Sequence, residues 1–165
     1  MKRTIKLTVM ALVAMFAFST VADAQQKWAY QSDFDEGMAC VKDDQGNWGF
    51  IDEQGNLVGQ MWRNVKYFQE GLGPVMDQDE YWGFVDKTGK LVVPCQYRQV
   101  GWFSEGLAYV SEDYQYYGYI DKTGKVVIPM DFKEAGSFKN GKANVTTEDN
   151  KAAVIDKTGK IVNKT

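Results

Sequence analysis

One motif occurs four times along this chain, and it limits the fold to a tandem array of similar units. The motif is complete at residues 117–129, where it contains aromatic, glycine, aromatic and branched residues, then Asp-x-x-Gly and an apolar run that ends in proline. Related copies begin at Trp48, Trp82 and Ala152. The spacing is 34, 35 and 35 residues when the copies are aligned on Phe34, Phe68, Phe103 and Phe138. Repeats of this length indicate a solenoid, a propeller or a similar array.

Each copy has the residue pattern of a β-hairpin. Two runs of aromatic and β-branched residues flank a short polar segment that ends in glycine, as expected for paired strands. An aspartate that opens such a turn can accept hydrogen bonds from backbone N–H groups two residues on. We therefore predict four turn-forming aspartates: Asp52, Asp86, Asp121 and Asp156. A calcium site is the alternative, disfavoured because one aspartate per turn supplies too few of the roughly six to eight oxygens that calcium needs.

Alternation along the Trp-Gly strand predicts how the units pack. Its small residues Gly49, Gly83 and Gly118 share one face with branched residues, and a glycine leaves room for a large group to approach the backbone. The opposite face carries six rings, which are Trp48, Phe50, Trp82, Phe84, Tyr117 and Tyr119. A row of rings facing water would be an unusually large apolar patch on a soluble protein. We therefore predict that the rings pack between units, with a ligand-stacking stripe as the alternative.

Two further strands are expected in each unit. One follows Phe-x-x-Gly, and its mixed side, which we expect at a surface, carries Cys40, Pro74, Tyr109 and Asn144. Pro74 also suggests that its strand has one side without a hydrogen-bonding partner. The other is the apolar run before Pro94 or Pro129. We expect this run to be buried on both faces and to end at the proline.

These patterns predict an all-β fold made of four hairpin or meander repeats of about 35 residues each. We expect an open, solenoid-like stack; a small closed four-bladed propeller is the alternative, since the first and last segments could complete one blade between them. The predicted units are 34–67, 68–102, 103–137 and 138–165, preceded by a half-unit at 25–33. The fourth unit has Ala152-Ala153 in place of Trp-Gly, as a polar capping repeat requires.

The first 24 residues have the pattern of an export signal peptide. Three basic residues precede an apolar run at 7–18, and Ala22-Asp23-Ala24 has the small-x-small form of a cleavage site. The apolar run is shorter than the roughly 20 residues of a membrane span. We therefore expect cleavage near Ala24, a domain of residues 25–165 without a membrane span, and a location in the periplasm or outside the cell.

The charge balance argues against nucleic acid as a partner. The chain has 19 basic and 22 acidic residues, and cleavage after Ala24 would leave 16 and 21, a net charge of −5. Duplex binding normally needs a basic face. We therefore expect a monomer whose partner is a protein or a glycan.

Few groups with catalytic chemistry stand out. The chain has no histidine, which excludes Ser-His and Cys-His nucleophiles and most zinc sites. Cys40 and Cys95 could form a disulfide after export or remain separate thiols. No phosphate-binding or dinucleotide motif is present, so we expect no catalytic residue, metal or cofactor. A cell-envelope glycan hydrolase that uses two of the many acidic residues is the alternative.

The recurring segments resemble the WG-containing repeat family. The resemblance is carried by Phe-x-Glu-Gly-Leu-Ala-x-Val, Trp-Gly-Phe-Ile-Asp-x-x-Gly and Val-Val-Ile-Pro, and it extends over nearly all of residues 25–165. The third copy departs from it with Tyr117-Gly118 and the fourth with Ala152-Ala153. The resemblance implies an all-β array, found in exported and multidomain bacterial proteins, and no shared catalytic activity. We therefore expect a non-enzymatic module of the bacterial cell envelope that binds a protein or a glycan, or serves as a scaffold.

The third unit is unusually rich in tyrosine and supplies the candidate ligand site, which consists of Tyr109, Tyr114 and Tyr116. A tyrosine has a flat apolar ring with a hydroxyl at its edge, which suits stacking on a sugar or anchoring a protein partner. Glu112 and Asp113 lie beside these tyrosines, so a glycan or a basic protein segment suits the site better than an anionic polymer. The alternative is a surface tip whose tyrosines cover neighbouring strands.

Overall fold

The computed structural model describes residues 28–164, which form sixteen β-strands and contain no helix. The export signal predicted at 1–24 lies outside the described residues, as does the start of the half-unit 25–33. The described part of the chain contains no helix with the length and apolar character of a membrane span.

The strands form four antiparallel sheets, one after another along the chain. The first sheet contains β1 (Tyr30–Gln31), β2 (Met38–Lys42), β3 (Trp48–Asp52) and β4 (Leu57–Trp62). The second contains β5 (Asn64–Val65), β6 (Leu72–Met76), β7 (Trp82–Asp86) and β8 (Leu91–Tyr97). The third contains β9 (Gln99–Val100), β10 (Leu107–Ser111), β11 (Tyr117–Asp121) and β12 (Val126–Phe132). The fourth contains β13 (Glu134–Ala135), β14 (Lys142–Thr146), β15 (Ala152–Asp156) and β16 (Ile161–Lys164).

Each sheet is a meander in which spatial order follows chain order, and none closes into a barrel. This confirms the predicted all-β tandem array of four units. The short first strand pairs with the end of the second, as Gln31 does with Val41. The fourth strand joins the Trp-Gly strand through a shifted register, for example between Trp82 and Phe84.

The units are held together by rings of one sheet that pack against the next sheet. Phe50 contacts Phe68 edge to face with ring centroids 4.7 Å apart. The same contact joins Phe84 to Phe103 at 4.8 Å and Tyr119 to Phe138 at 4.9 Å. Such pairs contribute about 0.5–1.5 kcal/mol beyond the burial of their surface. The apolar clusters thus lie between consecutive sheets, as the packing prediction requires.

The two ends of the array differ from its middle. The first sheet's small-residue face, with Ala39 and Val41, packs with Trp28 rather than with rings of a preceding sheet. The last sheet exposes Asn144 on its outer face, consistent with a polar cap. Among residues 28–164, no apolar cluster joins the fourth sheet to the first.

The glycines of the Trp-Gly strand were expected to leave room for a large group, such as a ring of a neighbouring unit, but another group fills the space. A Cβ on Gly83 would lie 2.4 Å from the Val93 carbonyl oxygen, and one on Gly118 would lie 2.4 Å from that of Ile128. The space is therefore filled by the backbone of the adjacent strand, where the register shifts, and not by a ring of a neighbouring unit. Gly73 does admit a ring, since a Cβ there would meet Phe68 at 2.5 Å.

The expectation that the third apolar run is buried on both faces and ends at its proline is wrong. β8 continues through Pro94 to Tyr97, and β12 continues through Pro129. Both are edge strands, where a proline sacrifices no necessary hydrogen bond. Val126 and Val127 are both exposed, and since consecutive residues of a strand point to opposite faces, neither face of β12 is covered at its start.

The mixed side of β2 and β6 is also not at a surface. Cys40 and Pro74 are buried, because this side packs on the next sheet. The expectation that the strand of Pro74 lacks a partner on one side is also wrong, because β6 lies between β5 and β7 and the Pro74 carbonyl accepts the Lys66 N–H at 3.0 Å. The Cys40 N–H donates to Ser32 Oγ at 2.9 Å, but the residue in the position of Ser32 is Lys66 in the second unit, so the missing N–H of Pro74 loses no such partner.

The four aspartates named above occupy the hairpin turns. Asp86 Oδ1 accepts hydrogen bonds from the Thr88 N–H at 2.8 Å and the Lys90 N–H at 3.1 Å. Gly89 closes the turn with φ 80°, a left-handed conformation that favours glycine. Similar carboxylate contacts occur in the other three turns.

A repeated polar contact, which we call the interunit clasp, also joins consecutive units. The Glu70 carboxylate accepts the N–H groups of Glu105 at 2.6 Å and Gly106 at 3.0 Å, while Lys122 lies 3.2 Å from it. Its glutamates are Glu36, Glu70 and Glu105, and its lysines are Lys87, Lys122 and Lys157. Two residues end the series, because the first unit has Glu53 in place of the lysine and the fourth has Asn140 in place of the glutamate.

Candidate functional site

Two of the three predicted ligand-site tyrosines, Tyr109 and Tyr114, lie together in one cleft. The cleft has a volume of about 410 Å³ and lies between the third and fourth sheets. We call it the tyrosine cleft, and its lining residues are Gln99, Tyr109, Tyr114, Tyr117, Lys133, Glu134 and Ala135. Tyr116 does not line the cleft, although it belongs to the same turn.

The turn that carries Tyr114 is fixed by hydrogen bonds. Tyr114 has φ 65°, and its N–H donates to Ser111 Oγ at 2.9 Å. Asp113 Oδ1 accepts the N–H groups of Gln115 at 2.8 Å and Tyr116 at 3.0 Å. The Tyr114 side chain is 55% exposed, so a well-ordered backbone presents a ring to the solvent.

The other two rings are held more firmly. Tyr109 in β10 packs over Gly101, where a Cβ would lie only 2.2 Å from the ring. Tyr109 also meets Tyr117 edge to face at 6.2 Å. The Tyr117 hydroxyl donates to Gln99 Oε1 at 2.8 Å. The prediction that Tyr109 belongs to a binding surface therefore concerns a half-buried wall of the cleft rather than a projecting ring.

The charged groups at the cleft are Lys133 and Glu134 in the lining and the carboxylate of Asp113 beside Tyr117. Partial burial raises the pKa of Tyr117, and the neighbouring Tyr109, Asp113, Tyr114 and Glu134 raise it further. The N–H groups of Tyr116 and Gln115 lower the pKa of Asp113, so this carboxylate is ionised at neutral pH. The cleft thus presents neutral rings beside negative charge.

The described residues were also compared with the requirements of a metal site, a reactive thiol and a catalytic acid. Residues 28–164 contain no group of three or more histidine, cysteine, aspartate or glutamate side chains arranged to hold a metal ion. Cys40 and Cys95 are free thiols, and burial raises the pKa of each to about 11. Wherever a carboxylate pKa is clearly shifted in this part of the chain, it is lowered.

Sequence reasoning missed five of the seven lining residues, and Gln99 was not considered at all. Tyr117 was assigned to packing between units, and Lys133, Glu134 and Ala135 belong to the next unit. The signal that could have found them is the repeat itself. The strand of Glu134 and Ala135 is the equivalent of the short strand before Phe103, and in a stack this strand follows directly on the preceding sheet.

Comparison with known proteins gives a family and a set of structural neighbours. A family model described as WG containing repeat matches residues 48–81, 82–116 and 117–151. A search of curated protein sequences found no match. Among solved structures, the computationally designed Ika4 protein is 14% identical with a TM-score of 0.52, over 74% of this chain and 87% of that one. That similarity supports the fold alone.

Two further solved structures show weaker similarity. BamB from Moraxella catarrhalis is 12% identical with a TM-score of 0.47, over 80% of this chain and 46% of that chain. The WD40 beta propeller domain of Doa1 is 10% identical with a TM-score of 0.45, over 80% of this chain and 52% of that chain. This chain therefore spans about half the length of each of these two proteins.

Proposed function

This chain belongs to the WG containing repeat family, and we propose that it is an exported, non-enzymatic module that binds a basic segment of a protein partner in its tyrosine cleft. The observation that carries this proposal is the grouping of Tyr109, Tyr114 and Tyr117 in one cleft beside Glu134. Tyrosine is well suited to anchoring a partner because it offers a large rigid contact area at a low entropic cost.

The charges of the cleft favour a cationic partner. Asp113 and Glu134 lie close enough to Tyr117 to raise its pKa. The one lysine of the lining, Lys133, donates to Asn150 Oδ1 at 3.0 Å, and so it points to another group. A lysine or arginine side chain placed against a tyrosine ring would gain from both the ring face and the carboxylates.

A binding experiment with defined peptides tests this proposal. Residues 25–165 would be titrated with fluorescein-labelled arginine-rich, glutamate-rich and uncharged peptides. We expect affinity for the arginine-rich peptide that falls with salt. Tyr114→Ser should weaken it about tenfold, since a desolvated contact between a cation and a ring contributes up to about 2 kcal/mol.

Tyr116→Ser is the matched control, because Tyr116 lies in the same turn but outside the cleft. It should leave both the affinity and the melting temperature unchanged. Tyr109→Ser is a poor test, because loss of the ring over Gly101 would also lower stability. Equal losses with Tyr114→Ser and Tyr116→Ser, or a preference for the glutamate-rich peptide, would contradict the proposal. Binding of a neutral glycan that Tyr114→Ser abolishes would assign the cleft to a glycan instead.

The non-enzymatic part of the proposal is supported by the carboxylates. A glycan hydrolase needs one carboxylic acid with a raised pKa to protonate the leaving group. The turn-forming carboxylates Asp52, Asp86 and Asp121, and that of Asp113 beside the tyrosine cleft, all have lowered pKa values. Release of reducing sugar ends from cell-wall glycan by the purified protein would contradict this part.

Export is tested separately, by the intact mass of the protein taken from native cell envelopes. We expect an N-terminus at or within a few residues of Gln25. Protein that still carries Met1 would contradict export by signal cleavage, without bearing on the tyrosine cleft.

A further inference from the structure

A second cleft, which we call the axial cleft, is lined by residues of all four units. Its volume is about 290 Å³, close to the lower limit for small-molecule sites. Its lining residues are Asp35, Tyr67, Gln69, Trp102, Phe103, Ser104 and Ser137. The four units therefore curve around a shared cleft, and no part of this lining belongs to the tyrosine cleft.

The lining comes from equivalent positions of the repeat. Six of the seven residues lie directly before or after a recurring phenylalanine. Phe68, Phe103 and Phe138 are each buried and share one structural role. The residues that precede the four phenylalanines are Asp33, Tyr67, Trp102 and Ser137, and those that follow are Asp35, Gln69, Ser104 and Lys139. These positions hold different residues in every unit, so the geometry of the repeat does not dictate their chemistry.

Two of these residues present aromatic rings. Tyr67 is 45% and Trp102 is 38% exposed, which is uncommon for rings beside the core. Trp102 is held in place by Lys66, whose Nζ lies 5.4 Å from the ring centroid and donates to the Val100 carbonyl at 2.7 Å. The same ammonium group lies 4.7 Å from the ring of Trp82. The cleft thus has a positioned indole with more than a third of its surface available.

The polar groups of the cleft are available as hydrogen-bonding partners. The backbone groups of Asp35 and Gln69 are used in short bridges to Met38 and Leu72. Ser104 Oγ donates to the Phe138 carbonyl at 2.7 Å, which leaves its oxygen free to accept. Within residues 28–164, no hydrogen bond to the side chains of Asp35 or Gln69 is formed, and both residues are exposed.

This combination identifies the chemical class of the ligand. The lining contains one carboxylate, one amide and three hydroxyls, but no basic residue, so nothing in it balances an anionic ligand. A sugar ring has an apolar C–H face that stacks on an indole or phenol, and hydroxyls at its edge that bond to amides, carboxylates and serines. We propose that the axial cleft binds a neutral saccharide, stacked on Trp102 and Tyr67 with its hydroxyls bonded to Asp35 and Gln69.

The test uses residues 25–165 and a panel of neutral trisaccharides built from glucose, mannose, galactose or N-acetylglucosamine, with polygalacturonate as the anionic comparison. Calorimetry should detect binding of at least one neutral trisaccharide at millimolar concentration. Trp102→Ala should weaken that binding about tenfold or more, as expected when one stacking surface is lost. Trp102→Phe should retain most of it.

Two controls separate ligand binding from folding. Gln69→Ala removes an exposed side chain, and it should weaken binding without lowering the melting temperature. Tyr114→Ser, in the tyrosine cleft, should leave saccharide binding unchanged. The proposal is overturned if no neutral trisaccharide binds, if polygalacturonate binds more tightly, or if both Trp102→Ala and Gln69→Ala leave the affinity unchanged. None of these results would affect the proposed peptide site, which is tested with other probes and another variant.

Discussion

Trp82→Ala is expected to lower the free energy of unfolding by about 3–5 kcal/mol. Trp82 lies in β7, is only 7% exposed, and packs in the cluster between the second and third sheets with Phe103 and Val100. An aromatic side chain buries about 150–250 Å², which at about 25 cal/mol per Å² corresponds to about 4–6 kcal/mol. Alanine retains a small part of this, so the expected loss falls in the stated range.

Trp48→Ala is the matched control because Trp48 holds the same position in the first unit. Trp48 is only half-buried, at the side of the cluster between the first two sheets. Its ring lies 5.5 Å from the Tyr30 ring and 5.2 Å from the Lys42 ammonium group. An inner repeat has two stabilising interfaces and a terminal repeat has one. We therefore expect Trp48→Ala to cost roughly half as much as Trp82→Ala.

Urea denaturation followed by circular dichroism measures both variants, since the midpoint and the slope together give the free energy of unfolding. The slope should be unchanged in Trp82→Ala if the protein still unfolds as one unit. Equal losses in the two variants would refute the argument from two interfaces. An unchanged midpoint in Trp82→Ala would show that this ring is not part of the core.

Three other predictions concern the clasp and the thiols. Glu70→Gln should lower the free energy of unfolding by about 1–2 kcal/mol. This is less than the loss of two hydrogen bonds to a buried charge, because the carboxylate is partly exposed. The control Glu112→Gln, at an exposed position, should cause no change that urea denaturation can measure. Partial burial opposes the change, but backbone N–H groups and lysines lower the pKa of each of the first two clasp glutamates. The stabilisation by Glu36 and Glu70 is therefore present above the unfolded pKa of about 4.3, and it is lost as the pH falls through the lower folded pKa. A melting temperature that stays constant when the pH is lowered below about 4 would contradict this. Cys40 and Cys95, with pKa values of about 11, should react slowly with a thiol reagent at pH 8 in the native protein and rapidly in denaturant, and fast native labelling would show that burial does not protect them.

The repeat made the sheets predictable from sequence. Four copies of one pattern average out the ambiguity of any single short apolar run, so the strands at Trp48, Trp82 and Tyr117 could be placed with their turns. Alternation then gave the packing of Phe50 and Phe84, since only one side of the strand could hold large rings. The positions and facing of these strands depend on residues that are close together in the chain, so they could be predicted from one sequence.

The third strand was mispredicted because its burial depends on a fact that is not local. An apolar run such as Val126-Val127-Ile128 has the same composition in an inner strand and in an edge strand. Pro129 appeared to end it, yet an edge position makes a missing N–H harmless.

The tyrosine cleft was found only in part for a similar reason. Tyr109 and Tyr114 belong to one unit, so their proximity follows from a single hairpin. Lys133 and Glu134 reach the cleft from the next unit, and their placement depends on how far one sheet is rotated over another. Tyr116 belongs to the same turn but does not line the cleft, since closeness in a turn does not fix the direction of a side chain.

The clasp shows that the repeat also determines the order in which units can follow one another. Each clasp needs a glutamate in one unit and a lysine in the next, and the first unit lacks this lysine while the last lacks this glutamate. Neither end therefore offers a clasp to a further unit or to a second copy of the chain. Stability is thus carried by positions that recur, such as Glu70 and Gly106. Positions that differ from unit to unit do not have to stabilise the array. In both clefts such positions hold the exposed residues, for example Trp102 and Tyr114.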